Sequence, residues 1–291
     1  MRLGRFQVLA QVGFGGQATV YLARPWVDSA PQRAATRLWL GWLHHQSRIG
    51  PVVARRWRLA ALKLAHPHAT DALLDEYGYL ARPGIRHAHL NQLYGRQYGT
   101  PGPDLGLDLS QIGIGTTLTA VVRPYMALGY VTGQPLSQLM LMGRIGNRAW
   151  VLRVAVQLAD VLGYLHQQGL VHHDVRPTNI VVSNWHREPQ ATLLDLGAAE
   201  TLAAPRRRAV YGAQGWLAPE RCGTQVGPAS PLVDIYGLGR VLAALLADRP
   251  VSPELQRVVA AATAPDPLKR AAELPDMLSL RDHLLALSGD G

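Results

Sequence analysis

Leu170–Val182 reads L-V-H-H-D-V-R-P-T-N-I-V-V. Two apolar runs, Leu170-Val171 and Ile180-Val181-Val182, bracket a polar loop that presents His172, His173, Asp174, Arg176 and Asn179. β-branched runs on either side of a proline-containing turn predict two short strands with a loop between them. Taken alone, the loop is equally well explained as an ordinary turn. Its neighbours decide the matter.

Upstream, Trp150–His166 carries apolar residues at helical spacing, which predicts a buried helix with Gly169 as its stop. Downstream, A-T-L-L at 191–194 predicts a strand leading into Asp195-Leu196-Gly197, and Val233–Gly239 opens a strongly apolar helix. Near the start, residues 6–23 form two β-rich runs around a glycine-rich turn, a hairpin signature. There Gly13 and Gly15 leave room for backbone N–H groups to approach phosphate oxygens, although most such hairpins are only hairpins. Residues 59–65 predict an apolar strand with one cation, Lys63, which is costly there unless paired or bound to an anion. The helical stretch 71–81 carries Asp75 and Glu76. Glu76 is the expected partner, because Leu80 four residues on continues its inward face. An exposed Glu on an amphipathic helix is the plainer alternative.

These elements, in this order, resemble a eukaryotic-like serine/threonine protein kinase of the bacterial type over nearly the whole chain. H-H-D-V-R-P-T-N stands where that family has H-R-D-x-x-x-x-N, and Asp195-Leu196-Gly197 stands for D-F-G. A-A-L-K matches V-A-I-K, and Ala218-Pro219-Glu220 matches A-P-E. The glycine turn matches G-x-G-x-x-G-x-V, with Ala18 at the third glycine. The resemblance implies an α+β, bilobal fold in one kinase domain. It comprises a small β-rich N-lobe (1–128, interrupted by an insertion at 25–58), a hinge (129–133) and a larger helical C-lobe (134–291). It implies phosphoryl transfer from ATP, with Mg²⁺ or Mn²⁺, to Ser/Thr hydroxyls of a protein substrate that the sequence does not name. The alternative is a nucleotide-binding pseudokinase serving as a regulatory or scaffolding module.

Roles follow residue by residue from the resemblance. Asp174 aims the acceptor hydroxyl and takes its proton, and Arg176 keeps positive charge near the transferred phosphate. Lys63, paired with Glu76, holds nucleotide phosphates under a loop of Gly13, Phe14, Gly15 and Gly16, with Val20 following. Asn179 and Asp195 hold the metal. Leu128 is the gatekeeper, and the backbone of Gly129, Tyr130 and Val131 meets the adenine edge. Asp234 caps the catalytic loop, and Arg270 pairs with Glu220.

Departures from the family pattern also count. His173 replaces the arginine that pairs with a phosphorylated activation segment, which makes the chain non-RD. Activity is therefore expected without phosphorylation at acceptors such as Thr201 or Tyr211, in a segment already basic through Arg206, Arg207 and Arg208. Ala213 replaces a threonine that seats peptide substrates, and the chain between Arg249 and Ser252 leaves no room for a docking helix. Both favour the alternative, while the complete Lys, Glu, Asp, Asn, Asp set opposes it.

Bulk properties bound the rest. The net charge is +9, and the one cysteine, Cys222, excludes an internal disulfide and a multi-cysteine zinc site. With no long apolar run and no leader-like start, a cytoplasmic location is expected. Residues 25–58 hold four of the seven tryptophans and many arginines. That composition suits a membrane-surface or partner contact, or an insertion folded back on the N-lobe. The latter is preferred. Nucleic acid is not the expected partner. His87 and His89 form a weak candidate metal pair, and residues 99–117 are expected to be a surface loop or hairpin tip.

Overall fold

In a computed structural model the chain divides into two compact units, Met1–Pro83 with Asn91–Gly133, and Gly84–Leu90 with Gln134–Gly291. The first is β-rich and the second largely helical. The structure describes residues 2–26, 30–45, 49–99, 104–114, 117–203, 215–222, 229–247 and 249–289.

The first unit contains β1 (Arg2–Leu3), β2 (Phe6–Phe14), β3 (Ala18–Pro25), α1 (Ala30–His45), α2 (Pro51–Arg56) and β4 (Ala60–Ala65). After these come α3 (Thr70–Ala81), the short α4 (Tyr94–Tyr98), β5 (Leu105–Ile114) and β6 (Thr117–Gly129). The strands form one antiparallel sheet in the order β1-β2-β3-β4-β6-β5. Strand alternation sends Leu62 and Leu64 into a core with Phe6, Val8, Tyr94 and Tyr125. Lys63 therefore faces the other way. Directly across from it stand Val20 on β3 and Met126 on β6, and directly opposed residues share a face.

Two segments depart from expectation. Within 99–117, residues 105–114 are a full edge strand, paired with β6 from Leu105↔Met126 to Ile114↔Thr117. Composition misleads there because Gly106 has a packing reason. The Tyr125 ring lies 2.5 Å from where its Cβ would be. The second segment is 25–58, expected as an insertion folded back on the N-lobe, which it is only in part. Leu40, Ile49 and Ala54 are buried with Leu9, Leu22 and Leu59, and Leu43, Val53 and Trp57 pack beside them. The turn of the helix leaves Leu38, Trp39 and Trp42 on the exposed side of α1.

The second unit contains β7 (Gln134–Pro135), α5 (Leu136–Leu141), α6 (Arg148–Gln167), β8 (Leu170–Val171), β9 (Ile180–Ser183), β10 (Gln190–Leu193) and β11 (Glu200–Thr201). It closes with α7 (Pro231–Leu246), α8 (Pro253–Ala262), α9 (Pro267–Glu273) and α10 (Met277–Ser288). Helix α6 starts at Asn147, whose side chain accepts from the Trp150 N–H, and the chain turns away at Gly169 (φ 72°). Its apolar stripe, including Val154, Leu158, Val161 and Leu165, is fully buried against α7 and α10. Among the described residues, no helix is long and apolar enough to cross a membrane.

Helix α7 lies close against the loop after β8. A Cβ at Gly237 would come within 2.9 Å of Val175 Cβ and 3.1 Å of its carbonyl oxygen. Gly237→Ala is expected to lower stability by about 1–3 kcal/mol, as overpacking does. A calorimetric scan of the variant checks this, and an unchanged melting temperature would contradict the packing.

Candidate active site

In the first unit, Lys63 Nζ donates to Glu76 Oε2 at 2.6 Å. Both side chains are nearly inaccessible, at 8% and 1% exposure, so the pair is almost sealed from water. Helix α3 buries Leu73, Glu76 and Leu80 on one side and leaves Asp75 half-buried, which settles the choice between the two acids. The β2–β3 turn has Gly13 opposite Val20, and Gly15 N–H donates to Ala18 O at 3.0 Å. Phe14 stands 76% exposed at its tip. The Gly16 carbonyl lies 3.2 Å from His66 Nδ1 and 2.8 Å from His68 Nε2, so both rings approach the turn.

Across β4 and β6, Leu128 opposes Ala61 and Gly129 opposes Ala60. Val20, Lys63 and Leu128 thus belong to one face of the sheet. The backbone N–H of Gly129 donates to Gln92 O, and that of Tyr130 to Leu59 O. Val131 is left as the residue of this trio whose backbone has no partner among the described residues. A Cβ at Gly129 would meet the Gln97 side chain.

In the second unit, the loop between β8 and β9 is held from below by one buried carboxylate. Asp234 on α7 accepts from the backbone N–H groups of His172 and His173, both at 2.8 Å, and from His166 Nε2 at 2.8 Å. Burial works against its charge, but the His166 hydrogen bond and charge outweigh it and hold the carboxyl at about 2. His172 completes the brace. Its Nε2 donates to Leu194 O, and its Nδ1 accepts from the Asp174 N–H.

Asp174 sits above this brace. Asn179 Nδ2 donates to the Asp174 carbonyl at 2.9 Å and to its Oδ2 at 2.7 Å, and Arg176 Nε lies 3.0 Å from Oδ1. Burial raises the Asp174 pKa against the opposing Arg176 charge, and the nearby Asp195 charge raises it further. Asp195 is strained into positive φ (65°), with Oδ1 accepting from Gly197 N–H at 2.9 Å. Because Asn179 spends its NH₂ on Asp174, its amide oxygen remains to accept. That oxygen and the Asp195 carboxylate are the hard oxygen donors that suit Mg²⁺.

His173 is also at positive φ (65°) and nearly inaccessible. Among the described residues neither ring nitrogen has a hydrogen-bond partner, and the closest acid is Glu200, with Oε2 3.9 Å from Nε2. Glu200 is itself paired with Arg221 at 2.8 Å, and both are buried. Burial pushes the His173 pKa down to about 4, against the Asp234 charge and with the Arg221 charge adding to it. The imidazole is thus neutral in the folded protein, while an unfolded chain takes up this proton below about pH 6.5. The unfolded state binds more protons between those values, so stability falls as pH drops through that window, by on the order of 3 kcal/mol. Urea midpoints at about pH 7 and about pH 5 should show the loss, and His173→Leu should flatten it. A midpoint independent of pH in the parent protein would refute the buried neutral assignment.

Elsewhere, Arg270 pairs with Glu220 and donates to Ala264 O. His87 and His89 take protein partners, Asp160 Oδ2 at 3.1 Å and Ala191 O at 2.7 Å. Arg206, Arg207, Arg208, Tyr211 and Ala213 lie outside the described residues. Sequence reading assigned no role to His166, His172, Glu200 and Arg221. The first two precede the aspartate in the same stretch and offered a signal, whereas the Glu200–Arg221 pair left none, since a buried ion pair spans distant segments.

The family described as protein kinase domain matches residues 114–277, more than half of the chain. Among curated relatives, a probable serine/threonine-protein kinase SCO3848 of Streptomyces coelicolor is 32% identical over 133 residues, 44% of this chain and 19% of its own length. Serine/threonine-protein kinase PknG of Mycolicibacterium smegmatis is 37% identical over 121 residues, 42% of this chain and 14% of its own. Serine/threonine-protein kinase pkn2 of Myxococcus xanthus is 29% identical over 285 residues, 92% of this chain and 28% of its own. The chain thus spans less than a third of the length of each. The pkn2 similarity covers enough of this chain to take in the Lys63–Glu76 pair, which precedes the family match.

Proposed function

Because the chain belongs to the protein kinase domain family, we propose that it transfers the γ-phosphoryl group of ATP, with Mg²⁺ or Mn²⁺, to Ser or Thr hydroxyls of protein substrates. The carrying observation is Asp174. It is half-buried, raised in pKa, held by Asn179 and Arg176, and seated on a loop whose backbone is locked to Asp234. A carboxylate with raised proton affinity, fixed in orientation, can aim a hydroxyl and accept its proton as the bond to phosphorus forms. Arg176 places a fixed positive charge at the same spot. Lys63, aimed by Glu76, offers an ammonium to phosphate oxygens, and the Gly13–Gly16 turn with Val20 covers the nucleotide. Asn179 and Asp195 would hold the divalent metal, which when bound offsets charge on the phosphates. Leu128 would border the adenine, with Val131 offering the free backbone N–H and Gly129 and Tyr130 already engaged.

Regulation follows from His173. A neutral imidazole beside the Glu200 carboxylate offers no cation to an activating phosphate, and Arg221 is committed to Glu200. Phosphatase-treated protein and Thr201→Ala are therefore expected to keep full activity, and a loss of more than about tenfold would contradict it.

The test is transfer of label from γ-³²P-ATP to the protein itself and to a basic general acceptor, with and without chelator, alongside nucleotide binding. Metal-dependent phosphoserine or phosphothreonine is expected. Nucleotide binding with no transfer would replace this reading with the regulatory pseudokinase, and absence of both would remove it.

A further inference from the structure

The α1–α2 insertion has a buried face and an exposed one. Leu40, Ile49 and Ala54 are buried, whereas Leu38, Trp39 and Trp42 on α1 are 75%, 45% and 51% exposed and Val52 on α2 is 80% exposed. A ring contact between Trp39 and Trp57, centroids 6.1 Å apart, ties the two helices together. Beside the exposed face runs an open groove of about 580 Å³, where Arg37, Leu38, Gly41 and Trp42 of α1 meet Leu9 and Ala10 of β2. Grouped exposed aromatic and aliphatic side chains of this size mark a contact surface.

Charge identifies what covers it. Residues 30–58 contain six arginines and no Asp or Glu, against a net +9 for the whole chain. Arg37 on α1 is exposed at the groove with Leu38 and Trp42, and Arg55 and Arg56 at the end of α2 are exposed one helical turn from Val52. A nucleic acid would satisfy the arginines and leave Leu38 and Val52 in water. A protein partner would need to supply acidic and apolar groups in matching register. An anionic bilayer offers both by construction, negative phosphates above acyl chains, and Trp and Arg are the residues that settle at that depth.

We propose that the exposed face of α1 and α2 docks this unit on an anionic phospholipid surface, with Trp39 and Trp42 at headgroup depth, Leu38 and Val52 toward the acyl chains, and Arg37, Arg55 and Arg56 on lipid phosphates. The contact is peripheral, since neither helix can span a bilayer.

The experiment is co-sedimentation of the full chain with phosphatidylcholine vesicles and with phosphatidylcholine–phosphatidylglycerol vesicles, at low and high salt. Quenching of tryptophan emission by brominated acyl chains is followed on the same samples. Partition into the anionic vesicles alone, weakened by salt and accompanied by quenching, is expected. Each arginine near such a surface is worth about fivefold in partition, so Arg55→Gln with Arg56→Gln should cost about 25-fold. Trp39→Ser with Trp42→Ser should weaken partition and remove most of the quenching. All these side chains are exposed, so circular dichroism should show both variants folded. No partition at low salt would overturn the proposal. So would adsorption unaffected by the tryptophan changes, or binding of RNA or polyglutamate through Trp39 and Trp42 without binding to vesicles.

Discussion

Asp174→Asn is expected to lower kcat for phosphoryl transfer by about 10²–10⁴-fold with the protein still folded. The amide keeps the size of the carboxyl and can still accept from Asn179, but it cannot take a proton. Asp174 is also a charge that burial disfavours, as its raised pKa shows. Neutralising it removes that cost, so the melting temperature should hold or rise slightly. KM for ATP should change little, because the substitution leaves Lys63 and the glycine turn untouched. The raised pKa adds a pH signature to the parent enzyme. Activity should fall on the acid side at a higher pH than an ordinary aspartate would impose, because the base protonates earlier. Stopped assays across pH, with calorimetry of both proteins, check the set. A kcat within tenfold of the parent would remove Asp174 from its role.

Lys63→Met carries the second large effect, and it acts on stability as well as chemistry. The pair is 2.6 Å long and almost sealed from water. Removing the cation takes this partner from a buried carboxylate, and breaking a buried pair in this way costs about 3–5 kcal/mol. Transfer should be lost with it, since no other ammonium projects from β4. A second variant separates the two consequences. Lys63→Met with Glu76→Leu replaces the whole pair with apolar side chains of similar bulk, and such replacements are often neutral or stabilising. The double variant should therefore regain most of the lost stability, read as a urea midpoint, and none of the activity. Recovery of transfer in the double variant would show that Lys63 serves the fold alone.

The candidate site was legible where its parts are local. Asp174, Asn179 and Asp195 sit in short strand–loop–strand stretches whose apolar flanks declare the strands, and Lys63 stood out as a lone cation in an apolar run. The helices were legible for the same reason. Burial at 3–4 spacing is a one-dimensional pattern, and α6 runs Arg148–Gln167 around the expected Trp150–His166. Residues 99–117, expected as a surface loop or hairpin tip, belong to a hairpin, but the strand 105–114 within them was not legible because the reason for Gly106 is the ring of Tyr125, nineteen positions away on the neighbouring strand.

The sequence alone determined the order of the motifs, the strand and helix contexts that carry them, and the residue types available for chemistry, because these depend on neighbours within a turn or a strand. Tertiary structure alone decided what each charge faces. It closed Glu76, the acid that helix periodicity favours, to 2.6 Å from Lys63. It placed the backbone of His172 and His173 on Asp234, some sixty residues away. It closed Glu200 onto Arg221 beside a neutral His173, and it turned one side of the Arg/Trp insertion inward while leaving Trp39 and Trp42 outside. The physical reason is common to all four. The free energy of a charge or an aromatic ring depends on what shares its surroundings and how much water remains, and those neighbours come from segments far apart in the chain.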